Sequence, residues 1–113
     1  MERHVGYKGG SVNINEIPLS ADNQRFDISI NNISYRIGLL WRDPCWILDL
    51  QDINGSDIIT GLPLVADVNL LEQHGYLNLD FGLAVFCDDP TAGSPGQFDL
   101  GTKSHLCVLT ESL

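Results

Sequence analysis

The stretch "RFDISINNISYRIGLLWRDPCWILDLQDINGSDIITG", residues 25–61, decides the fold. In its first part Phe26, Ile28 and Ile30 alternate with Arg25, Asp27 and Ser29, which is the two-residue period of a half-buried strand. After Asn31-Asn32 the period resumes, with Ile33, Tyr35, Ile37, Leu39 and Trp41 at alternate positions. Asparagine tolerates the positive φ that a two-residue hairpin turn demands. With the turn placed there, Ile30 faces Ile33, Ile28 faces Tyr35 and Phe26 faces Ile37, all on one side. On the other side Asp27 lies opposite Arg36 and Ser29 opposite Ser34. A slip of one residue would bury the charges, so pattern and turn chemistry specify the same register.

The pattern continues through "LLWRDPCWILDL". Taking "RDPC" as a four-residue loop sets Trp41 against Trp46, Leu39 against Leu48 and Ile37 against Leu50. A three-residue loop would bring Asp49 against Ile37. Pro44 has no N–H for a ladder and belongs in the loop. Asn54-Gly55 then marks a third hairpin and sets Leu50 opposite Ile59 and Leu48 opposite Gly61. Residues 24–62 therefore read as a four-stranded antiparallel meander with one apolar face. Its other face carries Arg25, Asp27, Arg36, Asp49, Gln51 and Thr60.

Outside the meander the pattern is sparser. "NINEIPLS", 13–20, reads as a first strand kept at an edge by Pro18. Pro63 ends the fourth meander strand. Around 67–74, Asp67 or Asn69 can cap one short turn of helix holding Leu70, Leu71 and Gln73, ending near Gly75. "DFGLAVFC", 80–87, is apolar on both faces and reads as a buried strand. "DDPTAGSPGQFDLGT", 88–102, is loop by composition, and "SHLCVLT", 104–110, is a last strand. The expected fold is all-β: an antiparallel meander closing into a small barrel or sandwich, with at most one short helix. Residues 1–13, glycine-rich and without periodicity, read as a flexible leader, and 14–113 as a single β domain.

The totals exclude some functions. The 113 residues carry 15 acidic against 6 basic side chains, a net charge of −9, and no basic run. Displacing counterions from a duplex needs a basic surface, so nucleic acid is not an expected partner. No apolar run is long enough for a membrane helix and the N-terminus has no apolar core, so a soluble, intracellular product without a membrane partner is expected. Three cysteines, Cys45, Cys87 and Cys107, form no disulfide framework, and none has the close spacing of a zinc pair. Cys87 and Cys107 sit in apolar runs where cysteine acts as a small core residue.

Each candidate site competes with a structural explanation. Cys45 with His74 or His105 would make a nucleophile–base pair, but Asp43 beside the cysteine opposes thiolate formation. "DINGSD", 52–57, has its glycine at the fourth position where a calcium loop needs it at the sixth, and a hairpin turn accounts for it. Asp88, Asp89 and Asp99 flank the long loop and could hold a divalent cation or a basic surface; a solvated loop explains them as well. "DFG", 80–82, stands without the other kinase signatures. The residues thus nominate no catalytic group, no cofactor and no metal, and they describe an acidic all-β interaction module.

The order of features resembles a known family. "IPLSADNQRFDISI", then "YRIGLLWRDPCWILDLQDINGSDIITGLPLV", then "LLEQHGYL" and "DLGTKSHLCV" is similar to the phage baseplate plug family, over about Ile14 to Val108. "PLVADVNLL" departs from the family's pattern after Val65. The resemblance implies a structural virion component of contractile-tailed phages and prophages, made in the bacterial cytoplasm. It implies docking at the baseplate centre, near the end of the tail tube and its hub, and no catalysis. The partners implied are other tail proteins, hub and tail tube. An exposed edge strand would also admit a homo-oligomer. The meander's polar face, the 88–102 loop and "IPLS" are the docking surfaces expected, the loop and the N-terminal segment ordering on assembly. Two other readings compete: a small-ligand-binding β-barrel with Trp and Tyr inside, and an acidic inhibitor mimicking nucleic acid. Arg25 and Arg36 on the meander's outer face weaken the latter.

Overall fold

The computed structural model describes residues 12–111. All but two residues of the leader expected over 1–13 lie outside the described residues; Val12 and Asn13 already belong to the first strand. Seven strands follow in order: β1 (Val12–Glu16), β2 (Gln24–Ile30), β3 (Ile33–Arg42), β4 (Cys45–Asp52), β5 (Asp57–Pro63), β6 (Gly82–Cys87) and β7 (Ser104–Glu111). They form two antiparallel sheets, β2-β3-β4-β5 and β1-β7-β6. The sheets do not close on each other, so the fold is a sandwich and not a barrel.

The first hairpin has the expected register throughout: Ile30 pairs with Ile33, Ile28 with Tyr35, Phe26 with Ile37 and Asp27 with Arg36. Asn31 and Asn32 adopt φ of 52° and 67°, the conformation that joins two right-twisted strands most tightly. At the second hairpin Trp41 pairs with Trp46 and Leu39 with Leu48 as read, but Arg42 and Cys45 are themselves paired. The loop is therefore Asp43-Pro44, two residues shorter than the expected "RDPC", and the register is unchanged.

The third hairpin corrects the sequence reading. Gly55 N–H donates to the Asp52 carbonyl and Asp52 N–H to the Ser56 carbonyl. Gly55 sits at φ 88°. This is a three-residue loop, a type I turn closed by a glycine in the left-handed region, where a side chain would be strained. Its register is one residue off the two-residue turn, pairing Gln51 with Asp57. An irregularity between Gln51 and Leu50 then restores Leu50 opposite Ile59. A second irregularity places Leu48 opposite Leu62, in place of the expected Gly61. Gly61 takes φ 70° at this bulge and its N–H donates to the Asp49 carboxylate at 2.8 Å. The bulges keep Leu48, Leu50, Ile59 and Leu62 on the core side despite the slipped turn.

The core lies between the sheets. Ile37, Trp46, Leu48 and Leu50 come from one sheet and Leu83, Val85 and Leu106 from the other, all 0% exposed. Ile17, Leu64, Leu70, Leu71, Phe81 and Leu100 close it from the connections. Trp41 and Trp46 meet edge to face with centroids 5.7 Å apart, and Tyr35 tilts against Phe81 at 5.2 Å. Ile33, expected on the apolar face, is 54% exposed, because the turn carries it past the end of the core.

The expected short helix is a 3₁₀ segment, Glu72–Leu77, and it ends at Asn78 in the left-handed conformation, not near Gly75. Of the two caps proposed, Asn69 holds the turn: its side-chain oxygen accepts from Leu71 N–H at 3.1 Å and from Leu83 N–H at 3.3 Å. Pro18 lies just beyond β1, which forms an edge strand as expected. Among the described residues no helix is long and apolar enough to cross a membrane.

Candidate functional site

The long loop, 88–102, is tied down at several points, contrary to the reading that it is free until assembly. Trp46 Nε1 donates to the Gly96 carbonyl at 2.9 Å, and Ala66 N–H donates to the Gly93 carbonyl. Pro95 and Leu100 are buried. The Asp99 carbonyl accepts from the N–H groups of Thr102, Lys103 and Ser104, and the buried Ser104 hydroxyl hydrogen-bonds the Asp99 carboxylate at 3.1 Å. Gly101, at φ 87°, packs against the Leu19 backbone so closely that a β-carbon would collide with it. The loop is thus a fixed platform, and on it Phe98 stands 81% exposed. Aromatic side chains, phenylalanine among them, are enriched in the cores of protein interfaces. Sequence reading passed over it because one phenylalanine in a polar loop has no periodicity.

Three recesses stand out among the described residues. One, of about 470 Å³, is lined by Cys87, Asp88, Asp89, Ala92, Asp99 and Lys103. It gathers the three carboxylates singled out from the sequence, but each already has a partner. Asp89 accepts from Thr91 N–H and Oγ1, which holds its carboxyl below the usual range. Asp99 serves Ser104, and Asp88 serves His105. Burial and the surrounding carboxylates push the Cys87 thiol up, away from reactivity. Among the described residues no cluster of three or more His, Cys, Asp or Glu is arranged to hold a metal.

A second recess, of about 330 Å³, runs between β1 and β2, where the sandwich stays open; Ile17, Ile28, Ile30 and Val108 line it. The third is a shallow dip on the outer face of the four-stranded sheet, where Gly38 leaves space between Arg25 and Asp49.

The structure does not join the proposed Cys–His pairs. Among the described residues no hydrogen bond or ion pair links Cys45 to either histidine. His74 Nδ1 lies 3.4 Å from the Tyr76 hydroxyl. His105 is bound on both ring nitrogens, Nδ1 to Glu16 at 2.8 Å and Nε2 to Asp88 at 2.9 Å. Both nitrogens can donate only in the imidazolium, and the Glu16 hydrogen bond foremost raises the His105 pKa, with Asp88 helping and partial burial opposing. His105 therefore ties β1 to the end of β6 across β7. These partners lie 89 and 17 residues away, so no local window could have revealed the bridge. In "DINGSD" the Asp52 carboxylate accepts from Asn54 and Ser56 N–H groups, stapling the hairpin turn.

The arrangement is that of a small β-sandwich with faces, edges and two strongly exposed aromatics, Phe98 and Tyr76. A family model described as cyanophage baseplate Pam3 plug gp18 matches residues 14–111, nearly all of the chain. The chain belongs to this family and is a structural component of a phage baseplate, part of the virion tail. No curated protein matches the sequence.

Proposed function

We propose that the chain acts in a contractile tail, seating at the baseplate centre near the end of the tail tube and its hub, and binding both kinds of neighbour through protein–protein contacts. The family match over residues 14–111 carries this reading. The anchored loop supports it. A rigid platform presenting Phe98 loses little conformational freedom on docking, so more of the contact free energy appears as affinity. The negative surface, −9 overall, suits neighbours with basic surfaces and a salt-sensitive association rate.

Pull-down of the full chain with the tail-tube and hub proteins of its own phage tests the proposal. Capture of either protein is expected, with Phe98→Ala weakening it about ten-fold or more. Absence of binding to both proteins, singly and together, would overturn it.

A further inference from the structure

Sheet edges expose unpaired backbone groups and are usually blunted. Three of the four edges here are. β5 carries two irregularities and ends in Pro63. β6 is covered by the segment after β5: Ala66 bridges Val85, Asp67 N–H donates to the Val85 carbonyl, and Leu70 N–H to the Leu83 carbonyl. β1 runs out just before Pro18, and its Glu16 is held by His105. β2 differs. It is seven residues long, regular, without proline, and among the described residues paired only with β3.

The chemistry of this edge follows from its turn. A two-residue turn makes Ile30–Ile33 a hydrogen-bonded pair, so by alternation Phe26 and Ile28 direct their backbone groups to β3. Arg25, Asp27 and Ser29 direct theirs outward. The core-side residues Phe26 and Ile28 are only half-buried, and Ile28 lines the recess between β2 and β1. Arg25 has no ionic partner among the described residues, although acids outnumber bases 15 to 6 in the chain. The Asp27 side chain, paired with Arg36 at 2.9 Å, remains 52% exposed and has oxygen capacity to spare.

We propose that β2 is the self-association edge of this protein, pairing antiparallel with β2 of a second copy about a two-fold axis at Phe26. Charge selects the register. Shifting one way sets Arg25 against Arg25 of the other copy; shifting the other way sets Asp27 against Asp27. The intermediate register places Arg25 opposite Asp27 twice, Phe26 opposite Phe26, and Asn23 opposite Ser29. Each outward N–H and C=O then finds a partner, and the two phenylalanines cover each other at the open margin of both cores. The interface is isologous, so both ion pairs form together. The inference stands on β2 alone and is independent of which tail protein the chain binds.

Sedimentation of the full chain over roughly 1–200 µM tests it, and a concentration-dependent dimer is expected. Arg25→Glu faces Asp27 twice and Asp27→Lys faces Arg25 twice. Each variant alone is expected to weaken the dimer by about ten-fold or more. Mixed in equal amounts the two should associate again. In the mixed dimer the introduced glutamate faces the introduced lysine, and the remaining Asp27 of one copy faces the remaining Arg25 of the other, so both contacts become attractive. Phe26→Cys in a Cys45→Ser background should cross-link to itself under mild oxidation, whereas Ser29→Cys in that background should not. Circular dichroism of each variant separates lost folding from lost pairing. A wild-type chain that stays monomeric, a dimer indifferent to Arg25→Glu, or single variants not rescued by mixing would each overturn the proposal. A monomer that still captures tail proteins would overturn the pairing and leave the docking reading intact.

Discussion

In the four-stranded sheet the strands put most of their apolar side chains on one face and most of their polar ones on the other, with Leu40 and Ile47 paired on the polar face. In the three-stranded sheet β6 is buried at all six positions. Leu83, Val85 and Cys87 join the main core, while Ala84 and Phe86 turn to the opposite face and cluster with Val12, Cys107 and Leu109. The first sheet is assembled from hairpins whose loops are two or three residues long. The second joins β1 to β7 across almost the whole chain, with Val12 paired to Glu111 and Glu16 to Cys107. Local closure costs little entropy and imposes register directly; distant closure costs more and depends on what packs around it. That contrast explains where each sheet is vulnerable.

Trp46→Ala should break the four-stranded sheet most severely. Trp46 is fully buried, and its indole N–H holds the Gly96 carbonyl. Removing it opens a cavity in one sheet and frees the long loop beside the other, at a cost of about 3–5 kcal/mol in urea unfolding. A loss below about 1 kcal/mol would mean that the loop is held without the tryptophan.

Gly101→Ala attacks the junction between the long loop and the connection after β1. The positive φ and the Leu19 backbone both oppose a β-carbon, and a loss of about 1–3 kcal/mol is expected. Thermal unfolding at one pH is sufficient to measure it. Fluorescence of Phe98→Trp in the same background should show the loop released before the meander unfolds.

His105→Gln probes the second sheet alone. The His105 pKa is raised in the folded state by Glu16 and Asp88. The bridge therefore contributes fully below the unfolded value of 6.5 and is lost as pH rises through the higher folded value. Wild type should exceed His105→Gln by roughly 2–5 °C in melting temperature at acid pH, with the gap closing at alkaline pH. A gap that is constant across pH would show that packing, and not charge, holds β1. Hydrogen exchange should place the change in β1 and leave β3 and β4 protected.

Cys45→Ser should have the smallest effect, within about 0.5 kcal/mol and without loss of partner binding. Cys45 is half-buried beside the two-residue turn and pairs with Arg42 through the backbone. A large loss of binding from this change would restore the cysteine as a functional group.

The meander was legible in the sequence because three local rules agreed: alternation, turn-forming residues and cross-strand charge pairing. Two turn lengths were misread, yet the core residues stayed on the core side. At Asp43-Pro44 the shorter loop preserved the register, and at Ile58 an irregularity restored it. Bulges are a response to packing on the whole face and have no reliable short signature. The candidate surfaces were legible only in part. The acidic trio was found, but the partners that occupy each carboxylate were not, and Phe98 was overlooked.

The sequence by itself determined an all-β fold, the first hairpin residue by residue, the apolar face of the meander, the buried character of β6 and the edge position of β1. These follow from patterns that repeat within a few residues or from turns that permit one register. Tertiary structure alone decided that the sheets remain an open sandwich, that the 88–102 loop is anchored through Trp46 and Leu100, and that His105 joins Glu16 to Asp88. It also decided that, among the described residues, β2 keeps a regular unpaired edge. Each of these depends on which distant surfaces meet. That choice is made by the summed burial of both sheets, and no short segment of the chain encodes it.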